Sequence, residues 1–400
     1  MTTRRLSITL GLCAAALVAI PVIAQQRGPT TGPVARYDMR AGTLSGFAAM
    51  GGGGSALSMA FGGGGNKVAK ELYLRLGSSD MPSKGGAKAD HFMPAGAKLG
   101  KSVQLVTPRE ERGASDELPQ KPKGRILVFW GCGDKAPKGQ PVVIDLAKLA
   151  AGQMPPGLWT STIIRDWGPT LQNSKTFARW PSEDRKFVKS DSSLLGAHRV
   201  AGNYSPEISF NLAKDFMAPL QSTATEQASG SSLVRWNAVP DATGYLAFQF
   251  GGKMAPNGEM GDMVMWTSSA SRQFGGGLSD WLSPTQVAGL VKDRTVLAPA
   301  VTQCTIPAEV RAAGPDFRMG MLTAFGPEET FAYPARPADP KAAWNLQWTA
   351  RVRHRSMTGW MDMPGMGQMG QQQPGTAEQS KCKKKGGFGG IVKGVLGKDC

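Results

Sequence analysis

From Trp344 to Arg353 the chain alternates without a break. Trp344, Leu346, Trp348, Ala350 and Val352 are apolar, and Asn345, Gln347, Thr349, Arg351 and Arg353 between them are polar or basic. Successive side chains of a strand point to opposite faces, so this period of two makes a strand with one apolar face and one polar, basic face. Slipping the register by one residue would bury the arginines, so the register is expected to be firm. A strand of this kind needs hydrogen-bonded neighbours and an apolar surface over its tryptophans, which commits the surrounding chain to a sheet.

Other segments repeat the pattern. Leu72, Leu74 and Leu76 alternate with Tyr73 and Arg75. Residues 103–106, 142–144 and 159–164 read as short strands, and the continuous apolar run Arg125–Trp130 as one buried on both faces. A short helix is expected over 145–151, ending at Gly152. Another is expected over 285–292, where Ser283 supplies an N-cap and Pro284 suits the first helical position. Glycine reaches 52 of 400 residues, about twice its usual ~7%. Charged residues fall to 19% from the usual ~25%, a balance that favours turn-rich β structure over helical bundles. The fold class is therefore mainly β: two β-sandwich-like units with few short helices and flexible Gly-rich N- and C-terminal segments. The expected division is a signal peptide over 1–24, a flexible Gly-rich leader over 25–66 and a β-rich domain over 67–190. A second β-sandwich domain follows over 191–356, then a disordered tail over 357–400. Inside the leader, Leu57, Met59 and Phe61 alternate with Ser58 and Ala60 between two glycine runs. No Lys-Ser/Thr or helix follows those runs, which excludes a phosphate loop.

Leu233–Trp236, a turn containing Pro240, and Gly244–Phe250 read as strand, turn, strand. Residues 317–325, the Gly326-Pro327-Glu328-Glu329 run and residues 330–333 read as a late hairpin. Over residues ~230–335 this arrangement resembles a fibronectin type III domain, in which a buried Trp faces a Tyr. The resemblance implies a sandwich of the kind that binds or connects. Taken whole, the chain is similar to a group of uncharacterised secreted proteobacterial proteins, a likeness that implies a location and no activity.

The first residues read as an export signal. Arg4 and Arg5 precede an apolar stretch over 6–20, and Val22-Ile23-Ala24 offers a cleavage site after Ala24. Pro21 interrupts a run already too short to span a bilayer, so no transmembrane helix is expected in the mature chain. The general secretory route fits better than the twin-arginine route, because Leu6-Ser7-Ile8 lacks adjacent large apolar residues. The destination is the periplasm or the exterior. Four cysteines remain after cleavage, Cys132, Cys304, Cys382 and Cys400, an even number that favours disulfides in an oxidising compartment. Three pairings are open; the simplest joins Cys132 to Cys304 and Cys382 to Cys400. The net charge of +16, two less once Arg4 and Arg5 leave, favours anionic envelope surfaces. No basic helix or interleaved aromatic platform supports specific nucleic-acid binding.

Three candidate chemistries stand out. Cys132, in Gly131-Cys132-Gly133 after an apolar strand, has the setting of a nucleophile for a cysteine-dependent hydrolase, but it lacks the outer glycines and the ensuing helix of a hydrolase elbow. A disulfide or buried thiol is the plain alternative. The only histidines, His91, His198 and His354, lie far apart in sequence and show no metal-ligand spacing. Met361, Met363, Met366 and Met369, with His354 nearby, offer soft ligands suited to Cu(I), and copper is the one cofactor the sequence hints at. In the tail, Phe388, Ile391, Val392, Val395 and Leu396 fall on one helical face amid lysines, and could meet an anionic membrane. The expected function is that of an exported, non-enzymatic envelope or secreted protein that binds or connects, with the copper carrier and the cysteine hydrolase as alternatives.

Overall fold

The computed structural model describes residues 32–50, 67–108, 368–369 and, apart from breaks at 157, 161–163, 165, 167, 183–186, 255–259, 276, 279–280 and 339–342, residues 124–362. The export signal, the second part of the glycine-rich leader, Met363, Met366, Cys382, Cys400 and the basic tail lie outside them. The fold is mainly β. In chain order the strands are β1 (Ala35–Gly46), β2 (Val68–Ser78), β3 (Ala89–Phe92), β4 (Ser102–Leu105), β5 (Arg125–Trp130) and β6 (Val142–Asp145). After helix α1 (Leu146–Ala150) come β7 (Thr176–Trp180), β8 (Phe187–Val188), β9 (Gly196–Gly202), β10 (Ile208–Leu212), β11 (Ser222–Glu226), β12 (Ser232–Trp236), β13 (Gly244–Met254) and β14 (Met260–Thr267). Helix α2 (Pro284–Lys292), β15 (Gln303–Ile306), helix α3 (Ala308–Ala313), β16 (Phe317–Tyr333), β17 (Trp348–Asp362) and β18 (Gln368–Met369) complete the chain.

One large sheet runs in the order β6-β5-β14-β13-β16-β17-β1-β2-β7, with β8 added to β2 and β18 to β17. Two small sheets, β10-β9-β3-β4 and β11-β12-β15, accompany it. Both pack on the same face. The first covers Tyr37, Met39 and Ala41 of β1, Leu72, Leu74 and Leu76 of β2, and Trp348, Ala350 and Val352 of β17. The second covers Tyr245 and Ala247 of β13, Val264 and Trp266 of β14, and Leu322 and Ala324 of β16. On the opposite face, Val287 and Leu290 of α2 pack against Leu246 and Phe325. The large sheet is thus the middle layer, covered on both faces over part of its length, although Met321 of β16 stays 40% exposed.

Several expectations meet the structure closely. Helix α2 starts at Pro284 with a full capping box between Ser283 and Gln286. Asp145 caps α1 by accepting from the Ala147 and Lys148 N–H groups. Trp236 and Tyr245 face each other at 5.6 Å, though their strands lie in different sheets.

Other expectations are corrected. Ala35–Gly46, placed in the flexible leader, is an interior strand; Asp38 and Arg40 lowered its apparent hydrophobicity while Tyr37, Met39 and Ala41 carried the core pattern. Strands from the expected 67–190 and 191–356 units share the large sheet. The hairpin expected at Gly326–Glu329 is one continuous strand, β16, with an irregularity between Phe325 and Glu328 where it pairs with β17. Residues 159, 160 and 164 lie in no strand. The alternating strand begins at Trp348 and runs past residue 356 to Asp362, burying Met357 and Met361. Its arginines are not turned to water in their proper register: Arg353 is 2% exposed. A strand covered on both faces buries both of its alternating sets, and what tells the two faces apart is what each set meets.

Candidate functional site

The polar set of β17 meets the polar sets of β1 and β2. Parallel pairing sets Asp38, Arg40 and Gly42 of β1 beside Arg351, Arg353 and Arg355 of β17. Antiparallel pairing sets the same three positions beside Arg75, Tyr73 and Glu71 of β2. The result is a grid of nine positions on the face that carries α2.

Asp38 sits on its middle strand, 1% exposed. Arg353 Nη2 donates to both of its oxygens at 2.8 and 2.9 Å, Arg40 Nε at 2.7 Å and Arg351 Nε at 3.2 Å. Burial alone would raise the Asp38 pKa; Arg40, Arg353 and Arg351 more than reverse this and hold it below the usual carboxylate range. A second carboxylate, Asp166, comes from the irregular segment between α1 and β7. Arg40 donates to it directly, while Arg353, Arg351 and Arg75 lie 3.3, 3.5 and 3.6 Å away. Burial opposes its ionisation, but Arg40 and Arg353 bring the pKa down to about 2. The segment is seated by Gly77, where a side chain would collide with Ser174 and Pro169.

At the third row, Gly42 leaves room for the Glu71 side chain to lie across β1, where any Cβ would collide with it. Glu71 thereby reaches Arg355, two strands away, accepting from its Nε and Nη2 at 3.1 and 2.7 Å. The Trp281 ring covers Arg355 at 3.9 Å. The Trp281 carbonyl accepts from Arg353 Nη1, and Arg353 Nε is buried without a hydrogen-bond partner.

The charges do not balance. Among the described residues, the four guanidiniums of Arg40, Arg75, Arg351 and Arg353 face two carboxylates, those of Asp38 and Asp166, while Arg355 is paired with Glu71. Desolvated cations in excess are costly. Accordingly the Arg75 pKa is lowered by burial and by Arg40, and that of Arg353 by burial more than Asp38 restores. The excess meets solvent at one place, where the Arg75, Arg351 and Asp166 side chains are 30%, 24% and 25% exposed. Two positions along β1 and β2, a cavity of about 620 Å³ is lined by Arg36, Gly77, Asn173 and Lys175 among others. Arg36 holds its rim by donating to the Asn173 carbonyl and Oδ1 at 2.7 and 2.8 Å.

The opposite face of β1 carries a different polar assembly. Tyr37 Oη lies 2.5 Å from His91 Nδ1, His91 Nε2 lies 3.0 Å from His198 Nδ1, and His198 Nε2 lies 2.7 Å from the Leu194 carbonyl. A carbonyl only accepts, so His198 Nε2 must donate and, in a neutral ring, its Nδ1 accepts. His91 Nε2 then donates, its Nδ1 accepts, and Tyr37 donates. Burial lowers both histidine pKa values, that of His91 well below its ordinary value, and raises that of Tyr37, which keeps all three neutral. Two histidines remote in sequence are therefore neighbours, and every polar atom of the chain of three has a partner.

Cys132 and Cys304 form a disulfide that ties the end of β5 to β15 in a small sheet, so the thiol a nucleophile would need is taken up. His354 and Met361 lie seven residues apart on β17, on opposite faces, about 23 Å from each other at ~3.3 Å per residue. They do not converge. Met369 of β18 stands directly opposite Met361 in the register. Among the described residues no group of three or more His, Cys, Asp or Glu could hold a metal ion, and no helix is long and apolar enough to cross a membrane. Comparison of the chain with protein-family models, with curated proteins and with solved structures finds no match.

Proposed function

We propose that this chain is an exported, non-enzymatic binding protein of the cell envelope or its surroundings, and that the arginine-rich face of β2–β1–β17 is where it takes an anionic ligand. The observation that carries this reading is the guanidinium excess on a largely buried face, opened to solvent at Arg75 and Arg351. The Cys132–Cys304 disulfide supports an oxidising destination, as does the leader with Arg4, Arg5 and the site after Ala24. The basic tail supplies a second, less specific attachment to anionic surfaces. Binding of the mature chain to anionic and zwitterionic vesicles tests both parts. Removing residues 381–400 weakens binding to anionic vesicles, and Arg75→Glu with Arg351→Glu weakens it further. Equal binding of all three proteins to both kinds of vesicle would overturn the reading.

A second reading, a copper-handling protein, draws support from the opposed positions of Met361 and Met369. It expects a Cu(I) complex that is lost on replacing Met361, Met363, Met366 and Met369. The absence of a stoichiometric complex would end it.

A further inference from the structure

Asp38 and Asp166 are both ringed by arginines, yet they are held in different ways. Asp38 belongs to an interior strand and is 1% exposed. Asp166 belongs to an irregular segment, its side chain is a quarter exposed, and its near guanidiniums come from three strands, β1, β2 and β17. Arg75 has no other carboxylate within ion-pair reach among the described residues. Arg353 keeps a buried Nε without a partner in the same cluster.

We propose that Asp166 is a displaceable internal stand-in for an external oxyanion, and that the group recognised is a phosphate. The inference rests on the binding reading above and names its ligand class. Among the described residues Asp38 and Asp166 together meet four guanidiniums, a surplus of two positive charges. A carboxylate brings one negative charge to them, whereas a phosphate brings more charge and three or four acceptor oxygens for the guanidinium forks. Phosphate arriving at Arg75 and Arg351 takes over the contacts of Asp166, whose side chain, already a quarter exposed, turns to solvent. No bond is made or broken beyond hydrogen bonds and ion pairs.

The test is calorimetric titration of inorganic phosphate into the mature chain at constant ionic strength, with chloride as the control anion. A carboxylate that occupies the site about nine-tenths of the time weakens apparent affinity about tenfold. Asp166→Asn is therefore expected to tighten phosphate binding about tenfold, and Arg75→Gln with Arg351→Gln to abolish it while the folded circular-dichroism signal is kept. Equal phosphate affinity in wild type and Asp166→Asn would overturn the proposal, as would no binding by either. Should Asp166→Asn fail to fold, Asp166→Ser replaces it in the same comparison. Vesicles containing phosphatidylglycerol distinguish the source: a gain by Asp166→Asn on vesicles, competed by free phosphate, assigns a lipid headgroup, and a gain confined to free phosphate assigns the soluble ion. Vesicle binding that depends on Arg75 and Arg351 but ignores phosphate and Asp166 would leave the binding reading standing and remove this one.

Discussion

Adjacent residues of β1, Tyr37 and Asp38, begin two polar assemblies on opposite faces of one sheet. The Tyr37–His91–His198–Leu194 assembly is neutral and closed, with each donor meeting one acceptor and no charge left over. The Asp38 assembly is charged and open: among the described residues Arg40, Arg75, Arg351 and Arg353 outnumber Asp38 and Asp166 by two, and one buried donor is unused. Polar groups that are matched internally add specificity to a core and ask for nothing from outside. Cations that outnumber their partners carry a standing electrostatic cost that an external anion lowers. Tyr37 and Asp38 are themselves buried alike, at 2% and 1% exposed, so it is the balance of partners and the opening at Arg75 and Arg351 that separate a structural assembly from a recognition site.

The comparison breaks most visibly at its charged end. Asp38→Asn removes the carboxylate that three arginines share, and losing one partner of a buried ionic group costs about 3–5 kcal/mol; chemical denaturation should show a loss of that size. Acid acts first on the neutral side. The folded state holds His91 and His198 neutral while the unfolded chain takes up protons below about pH 6.5, so stability falls as the pH drops through that value, by up to about 1.4 kcal/mol per pH unit for each proton. A second decline begins below about pH 4, where unfolded aspartates protonate but Asp38 and Asp166 stay ionised in the fold. Denaturation curves collected from pH 7 to 3 should resolve the two stages; a flat profile between pH 6.5 and 5 would refute the neutral assignment. Tyr37→Phe leaves His91 Nδ1 buried without a donor and is expected to cost about 1–3 kcal/mol, read from the same curves. Asp166→Asn, at a partly exposed pair, should cost about 1 kcal/mol or less, far below Asp38→Asn although both lie in one cluster.

Much of the β character was legible in the sequence because strands with one apolar face declare themselves. Leu72, Leu74 and Leu76 and the Ser283–Pro284 helix start were readable from local pattern, whereas cysteine arithmetic left three pairings open, of which the simplest includes the Cys132–Cys304 bridge that forms. The charged site was not, for a physical reason. Arg351 and Arg353 on β17 look like a solvated face when read alone, and Asp38 and Arg40 make β1 look like leader. Only the parallel pairing of β1 with β17, strands about 300 residues apart, turns two polar faces into one buried grid, and long-range pairing of that kind leaves no local period to read. The alternation of Tyr37, Met39 and Ala41 with Asp38 and Arg40 was the one available signal. Asp166 had none, since it is placed by a segment without regular structure.

The guanidinium excess as an anion site is the central claim, and the most direct test is the unfolding free energy of the mature chain against phosphate concentration at fixed ionic strength. A ligand that binds only the folded state adds about 2.7 kcal/mol at one hundred times its dissociation constant. The account predicts a rise with the logarithm of phosphate concentration in the wild-type protein and a flat line in Arg75→Gln with Arg351→Gln. Parallel lines for the two proteins, rising or flat, would contradict it.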